Sequence, residues 1–193
     1  MTAVIIIVAV AVVLLLIIGL FLVYNNLITI RTSYKSSYLQ IGGLLQKRHD
    51  LILSLIDTVR EYLPQEHYTL ETVTQARERA VQANKAASTN PGEAWALQGV
   101  SGAEDALAAT LVKLYAIVET YPGGQHMLLT QKEIFALDDK VLSAQKSYNE
   151  KVKAFNTGLQ GSPGKYLAKM ASLSPAAPYT AGQDNPMATK VKA

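Results

Sequence analysis

Three histidines are the side chains best suited to acid–base or metal chemistry, and their spacing argues against both. His49, His67 and His126 lie far apart, and none has a histidine partner four residues away. Glu66 and His67 resemble part of a zinc-binding H-E-x-x-H segment, but Gln65 stands where the first histidine is required. The histidines are therefore interpreted as residues of the surface or the bundle edge. The sequence predicts no catalytic residue, no metal site and no cofactor.

A glycine-rich stretch, residues 158–166, resembles a phosphate-binding loop only superficially. Leu159 occupies the position of a required glycine, and Tyr166 stands where the motif needs Ser or Thr. Pro163 lacks the N–H group that a phosphate would use. We interpret this stretch as a helix stop. The chain also has no cysteine, which excludes disulfides and thiolate catalysis. No constellation supports an enzyme.

Four basic residues precede the first acidic residue of the chain, Asp50: Arg31, Lys35, Lys47 and Arg48. Lys47 and Arg48 allow two interpretations, a solvated turn or a patch that binds a partner. The 18 Lys and Arg residues are balanced by 15 Asp and Glu residues without a dense basic block, which argues against nucleic-acid binding.

The elements that must position these residues begin with an apolar run. Val4 to Val23 are twenty residues without a polar side chain, and seventeen of them are Val, Ile, Leu or Phe. As a helix the run is about 30 Å long, the thickness of a bilayer's hydrocarbon core. Only Thr2 and Ala3 precede it, so it lacks the basic start of a cleaved signal peptide. Residues 1–23 are predicted to be a transmembrane anchor.

The residues that flank the anchor suggest its orientation and its lipid contacts. Basic residues near a span tend to stay in the cytoplasm, and Arg31 and Lys35 follow the span while none precedes it. The prediction is a single-pass protein of the bacterial inner membrane, with its N-terminus outside and its body in the cytoplasm. Tyr24, Arg31 and Lys35 are candidate contacts with lipid headgroups.

Apolar residues at three- and four-residue steps predict four long helices, divided by Pro64, by residues 90–92, by residues 122–124 and by residues 161–164. The first continues from the anchor to Leu63, and Arg48 fills one step of its apolar stripe. The last stripe has a spacing near 3.5 residues, typical of coiled-coil-like packing. The fold class is predicted to be all-α, with the anchor helix continuing into an elongated antiparallel four-helix bundle over residues 24–160. Residues 161–193 are predicted to be a mostly disordered tail.

The predicted second helix, about 33 Å long, covers only half of the first helix outside the bilayer. We therefore expect Tyr34, Tyr38 and Ile41, together with Lys47 and Arg48, to form an interface with a second copy or another partner. On this basis Tyr34→Glu with Ile41→Glu is expected to favour the monomer and to leave helicity largely intact.

Several motifs resemble those of the LemA family. A Tyr-Asn pair follows the anchor at Tyr24, residues 47–52 form a basic-Asp-Leu-Ile stretch, and residues 119–122 are similar to the family's E-N-Y-P. Residues 148–156 are similar to its Y-N-x-x-V-x-x-Y-N. Asn149 and Asn156 of this segment share one helix face, and we interpret their side chains as forming hydrogen bonds between helices. The resemblance implies a bacterial membrane-anchored bundle of long helices without established enzymatic activity.

The leading hypothesis is a non-catalytic scaffold or adaptor that forms homo-oligomers and presents a helical binding surface. The resemblance implies association with a membrane protease or another membrane protein as partner. The alternative is a membrane-remodelling or envelope-stress protein whose first helix lies on lipid.

Overall fold

The computed structural model describes residues 1–122 and 124–182. All regular elements in this part of the chain are helical, which confirms the predicted class. The helices are α1 (Thr2–Tyr62), α2 (His67–Thr89), α3 (Ala94–Thr120), α4 (Gln125–Gln160) and α5 (Gly164–Met170), with a short 3-10 helix, Pro64–Glu66, after α1. The four long helices begin and end within a few residues of the predicted positions.

Helix α1 is continuous over 61 residues, a length of about 90 Å. Its N-terminal part is long and apolar enough to cross a membrane. Residues 1–22 are exposed along their whole length, and Leu27 is the first buried residue. The apolar segment therefore projects from the folded body as the same rigid helix that later enters the core.

The connection between α2 and α3 shows why the chain reverses where it does. Asn90 ends α2, and its side-chain amide donates a hydrogen bond to the Ala86 carbonyl at 3.0 Å. Gly92 then adopts a φ of +93°, and a Cβ there would lie 2.8 Å from the Tyr34 ring. Only glycine combines this backbone conformation with so close an approach.

Contacts along α1 fix the directions of its neighbours. Leu27 lies against Gly158, whereas Arg48 contacts Asp138, so numbers fall along α4 as they rise along α1. Helix α2 is also antiparallel to α1: its Asn84 donates a hydrogen bond to the carbonyl of Gly42, and its Arg77 donates one to the carbonyl of His49. A Cβ at Gly42 would meet the Ser88 hydroxyl at 2.7 Å. The absent side chain thus allows α1 and α2 to approach closely.

Two groups of buried apolar residues make up the interior. The membrane-proximal core lies next to the apolar segment and comprises Leu27, Tyr34, Tyr38, Ile41, Leu45, Ala87, Ala96, Leu97, Val100, Tyr148, Val152, Phe155, Leu159, Leu173, Ala176, Tyr179 and Ala181. The distal core comprises Ile52, Leu55, Ile56, Val59, Leu63, Leu70, Val73, Ala76, Ala80, Leu107, Leu111, Leu114, Tyr115, Val118, Met127 and Ile134. Charged side chains separate the two cores.

The prediction of a mostly disordered tail is wrong for residues 161–182. After α4 the chain turns, forms α5 and continues as an extended strap, residues 171–182, along the bundle. Leu173, Ala176 and Tyr179 of the strap are buried. Prolines prevent a helix here, but the strap obtains backbone hydrogen bonds from side chains of α4 and α3 and from the carbonyl of Gly92. The remaining part of the predicted tail, residues 183–193, lies outside the described residues.

Candidate functional site

A layer of buried charges crosses the bundle between the two cores, and Arg48 is its centre. The Arg48 guanidinium donates a hydrogen bond to Glu104 of α3 at 2.7 Å and lies 2.6 Å from a carboxylate oxygen of Asp138 on α4. Arg48 and Glu104 are both buried, while Asp138 reaches partly into solvent. One cation thus links three helices.

The electrostatics of this layer require all three partners. Burial lowers the pKa of Arg48, but the carboxylates of Asp138 and Glu104 outweigh it and hold this pKa above its ordinary value. Burial raises the pKa of Asp138, and Arg48 opposes that effect. Removing the cation would leave two carboxylates without a counter-charge, a change that typically costs about 3–5 kcal/mol in a buried ion pair.

His49 completes the layer and is buried, which corrects its interpretation as a surface or bundle-edge residue. Its Nε2 lies 2.7 Å from the second oxygen of Glu104. The backbone carbonyl of His49 in turn accepts a hydrogen bond from Arg77 of α2 at 2.7 Å. Both oxygens of Glu104 are therefore occupied within the protein. This arrangement holds four helices in register.

A cavity of about 200 Å³ opens beside this layer, between α3 and α4. Aromatic and aliphatic side chains line it together with carboxylates: Leu45, Arg48, Glu104, Asp105, Ala108, Leu111, Tyr115, Phe135, Asp138, Asp139, Val141, Leu142, Gln145, Tyr179, Ala181 and Gly182. Its polar lining includes four carboxylates, Glu104, Asp105, Asp138 and Asp139, and two phenols, Tyr115 and Tyr179. In the described ranges, no three His, Asp or Glu side chains converge as metal ligands.

Two amide side chains of α4 bind the backbone of the strap. Asn156 donates to the carbonyl of Ala176 at 2.8 Å and accepts from the N–H of the same residue at 2.9 Å. Asn149 makes the same pair of bonds with Tyr179, both at 2.9 Å. Their interpretation as bonds between helices is therefore wrong. The seven-residue spacing of the two amides matches two binding points on one extended segment.

A third amide and a phenol extend this attachment. Gln145 donates hydrogen bonds to the carbonyls of Tyr179 and Ala181 at 2.8 and 3.2 Å. The hydroxyl of Tyr148 donates to the carbonyl of Ala177 at 2.8 Å. One face of α4 thus supplies the partners that a strand neighbour would supply in a sheet, and the strap closes the membrane-proximal core.

The predicted partner interface does not lie on the surface. Tyr34, Tyr38 and Ile41 are buried inside the chain's own core; the Tyr34 ring lies 5.2 Å from that of Phe155. Arg48 is buried as well, so the prediction is wrong for these four residues. Helix α4 and the strap cover the stripe that α2 leaves open. Consequently Tyr34→Glu with Ile41→Glu is now expected to disrupt folding. Lys47 is exposed, and its contact with a partner stays a prediction.

The three candidate headgroup contacts lie at different heights along α1. Tyr24 is exposed one residue beyond the apolar segment. Arg31 and Lys35 are half-buried and lie about 12 and 18 Å beyond Val23 along the helix axis. Their contact with headgroups stays a prediction.

Sequence comparisons place these features among known proteins. The model of the LemA family matches residues 37–192. This range includes the charged layer, the strap and the two asparagines that bind the strap, Asn149 and Asn156. The chain is also similar to the magnetosome protein MamQ of Magnetospirillum gryphiswaldense, with 22% identity over 166 residues. That alignment covers 75% of this chain and 60% of MamQ, so the chain spans less than two thirds of this relative's length.

Proposed function

The chain belongs to the LemA family, and on that premise we propose that it is a single-pass, non-catalytic scaffold of a bacterial inner membrane. Family membership and the apolar segment of α1 fit a membrane-associated protein. The observation that carries the proposal is the contrast in exposure between the two parts of α1. Its first 22 residues are exposed, whereas its later apolar residues are largely covered by the chain itself.

The rest of the body supports a role in binding rather than in chemistry. The pairing of α1 with α4 and with α2 favours an elongated antiparallel four-helix bundle. In its most polar interior group, the charged layer, the Arg48 cation is paired with Glu104 and Asp138 of the chain itself. The exposed face of α1 carries small polar side chains, among them Thr29, Thr32, Ser36 and Gln40. Such a face suits a protein partner, and we propose a membrane protein as the partner class.

Self-association is part of the proposal, but it cannot use the buried stripe around Tyr38. Homo-oligomers would form through the apolar segment, which the chain's own residues leave uncovered. Confinement in one membrane raises the effective concentration of neighbouring copies. The proposed orientation, with the body in the cytoplasm, rests on Arg31 and Lys35. A reporter fused after Ala193 that works only outside the cytoplasm should remain inactive.

Membrane insertion is testable with Leu14→Arg combined with Ile17→Arg. Each arginine at the centre of a span costs about 2.5–3.5 kcal/mol, and together they exceed the roughly 5 kcal/mol expected to favour insertion of this segment. The variant should move from the carbonate-resistant membrane fraction to the soluble fraction and lose crosslinks between copies. Leu129→Arg, at an exposed position of α4, is the matched control. A native protein that alkaline carbonate extracts would refute the anchoring.

The alternative, membrane remodelling with the first helix on lipid, requires an apolar face of α1 that the structure shows covered by α4. Apart from headgroup contacts at Tyr24, Arg31 and Lys35, lipid contact outside the span would have to come from another part of the body.

A further inference from the structure

Helix α5 lies at the end of the bundle from which the apolar segment emerges. Helix α4 descends along α1 until Gly158 lies against Leu27, and the chain then turns. Val23, the last residue of the apolar run, packs against the same core as Ala168 and Ala171. The strap afterwards runs back up the bundle, with Ala176 beside Asn156 and Tyr179 beside Asn149. The chain between α4 and the strap is therefore the part of the C-terminal region nearest to the membrane.

The side chains that α5 presents to solvent are those expected at a lipid interface. Tyr166 is 69% exposed and Met170 is 84% exposed, the highest value among large apolar residues outside the apolar segment. The two are four residues apart and share one face of the helix. Lys165 and Lys169 are exposed beside them with the same spacing. Tyrosine and lysine place an apolar body in the interface and a polar end among headgroups.

The charge of this end is complementary to an anionic surface. Residues 24–49 and 151–182 contain eight basic residues and no acidic one. By contrast, residues 50–83 and 104–140 contain twelve acidic and six basic residues. Glu93, near Tyr34 in the connection between α2 and α3, and the exposed Glu150 of α4 are the acidic exceptions at this end. The bundle is thus electrically polarised along its axis, with its basic end towards the membrane.

We propose that α5 is a second membrane contact, in which Tyr166 and Met170 insert among the headgroups of the leaflet from which α1 emerges, and Lys165 and Lys169 pair with anionic lipids. This inference rests on the proposed anchoring of α1. The occupant is lipid because the covalently attached span holds α5 at the leaflet. Attraction of the two lysines to an anionic surface favours this contact, which fixes the bundle's rotation about the axis of α1.

The absence of native cysteine allows a single spin label to report the depth of α5 in the full chain. Met170→Cys is labelled and reconstituted in nanodiscs of phosphatidylcholine with phosphatidylglycerol. Compared with a label at Tyr68→Cys, the label at residue 170 should collide more often with oxygen, which concentrates in hydrocarbon. It should collide less often with a water-soluble nickel chelate. Tyr68 is 80% exposed and lies on α2 near the distal core. Tyr166→Cys provides a second position on the same face if the first variant loses helicity.

Charge removal provides the matched comparison. Lys165→Gln with Lys169→Gln should shift the equilibrium between lipid-contacting and aqueous spectra about 30-fold towards the aqueous form, at ~1 kcal/mol per lysine. Lys113→Gln with Lys132→Gln removes the same charge near the distal core and should leave the spectra unchanged. Equal depth with and without phosphatidylglycerol, or a Met170 label as aqueous as the Tyr68 label, would overturn the proposal. Samples that fail to float with lipid would refute the anchoring itself, whereas floating samples with an aqueous label refute only the α5 contact.

Discussion

The two cores of this bundle achieve the same burial by different means. The membrane-proximal core contains five aromatic residues, Tyr34, Tyr38, Tyr148, Phe155 and Tyr179, whereas the distal core contains one, Tyr115. The proximal core is also closed by an extended strap that side-chain amides hold, while the distal core is formed almost entirely by helices. Aliphatic packing depends mainly on volume, but edge-on aromatic pairs, such as Tyr38 with Tyr148 and with Tyr179, and buried amides require a specific geometry. The packing of the proximal half therefore depends more strongly on the identity and orientation of individual side chains.

The largest expected effect tests the boundary between the cores. Arg48→Ala should lower the free energy of unfolding by about 3–5 kcal/mol, because Glu104 and Asp138 lose their shared cation. Chemical unfolding of the full chain in detergent, followed by circular dichroism, measures the change. The neighbouring, exposed Lys47→Ala should stay within about 0.5 kcal/mol of the native chain. Similar losses for both variants would show that the charged layer does not join the two halves.

Release of the strap is the second test, and it separates the cores directly. Asn149→Ala and Asn156→Ala each leave backbone groups of the strap without partners, which costs about 1–3 kcal/mol per site. Hydrogen exchange should accelerate at Ala176 and Tyr179, while amides of α2 and α3 around the distal core keep their protection. Asn26→Ala, at an exposed position of α1, is the control. Uniform acceleration in both halves would mean that the two cores unfold as one unit.

Alkaline pH should affect the proximal core more than the distal one. Burial raises the pKa of Tyr38, Tyr148 and Tyr179 in the first and of Tyr115 in the second. The unfolded chain releases these protons near pH 10 while the folded chain retains them, so stability falls as pH rises above about 10. Each such tyrosine contributes a slope of up to about 1.4 kcal/mol per pH unit.

Unfolding curves between about pH 9 and pH 11 measure that slope. Tyr38→Phe should make it shallower, since it removes a titrating group whose hydroxyl makes no hydrogen bond within the described residues. Tyr68→Phe, at an exposed position, should not change it. A slope that Tyr38→Phe leaves unaltered would assign the alkaline sensitivity to other groups.

The helices and the apolar segment could be predicted from sequence because their signals are local. Apolar periodicity and the breakers at Pro64 and Pro122 fix helix positions without reference to any other part of the chain. The charged layer left a weaker trace. Arg48 and Glu104 each occupy a step of an otherwise apolar stripe, and opposite charges at such steps in two helices indicate a buried pair. This pattern is present in the sequence, but it identifies a contact between Arg48 and Glu104 only when the register of the helices is known.

The strap could not be predicted because its order comes from distant residues. Its sequence has no period and several prolines, the usual pattern of a disordered segment. Two of its residues, Ala176 and Tyr179, are held by Asn156 and Asn149, which precede them by twenty and thirty residues. Tyr34 and Ile41 are likewise covered by segments distant in the sequence, α4 and the strap. The interface prediction and the tail prediction were therefore wrong for the same reason. Local sequence does not show which part of a chain returns to cover another.

With its apolar segment in a bilayer, as proposed, the continuous α1 would act mechanically as a lever with its fulcrum in the lipid. From Val23 to Tyr62 the helix extends about 58 Å beyond the span. A tilt of about 20°, the average for membrane helices, displaces its far end sideways by roughly 20 Å. Tilt depends on the match between helix length and bilayer thickness. A small change in membrane thickness is thereby converted into a displacement, comparable to the width of two helices, at the end of the protein farthest from the lipid.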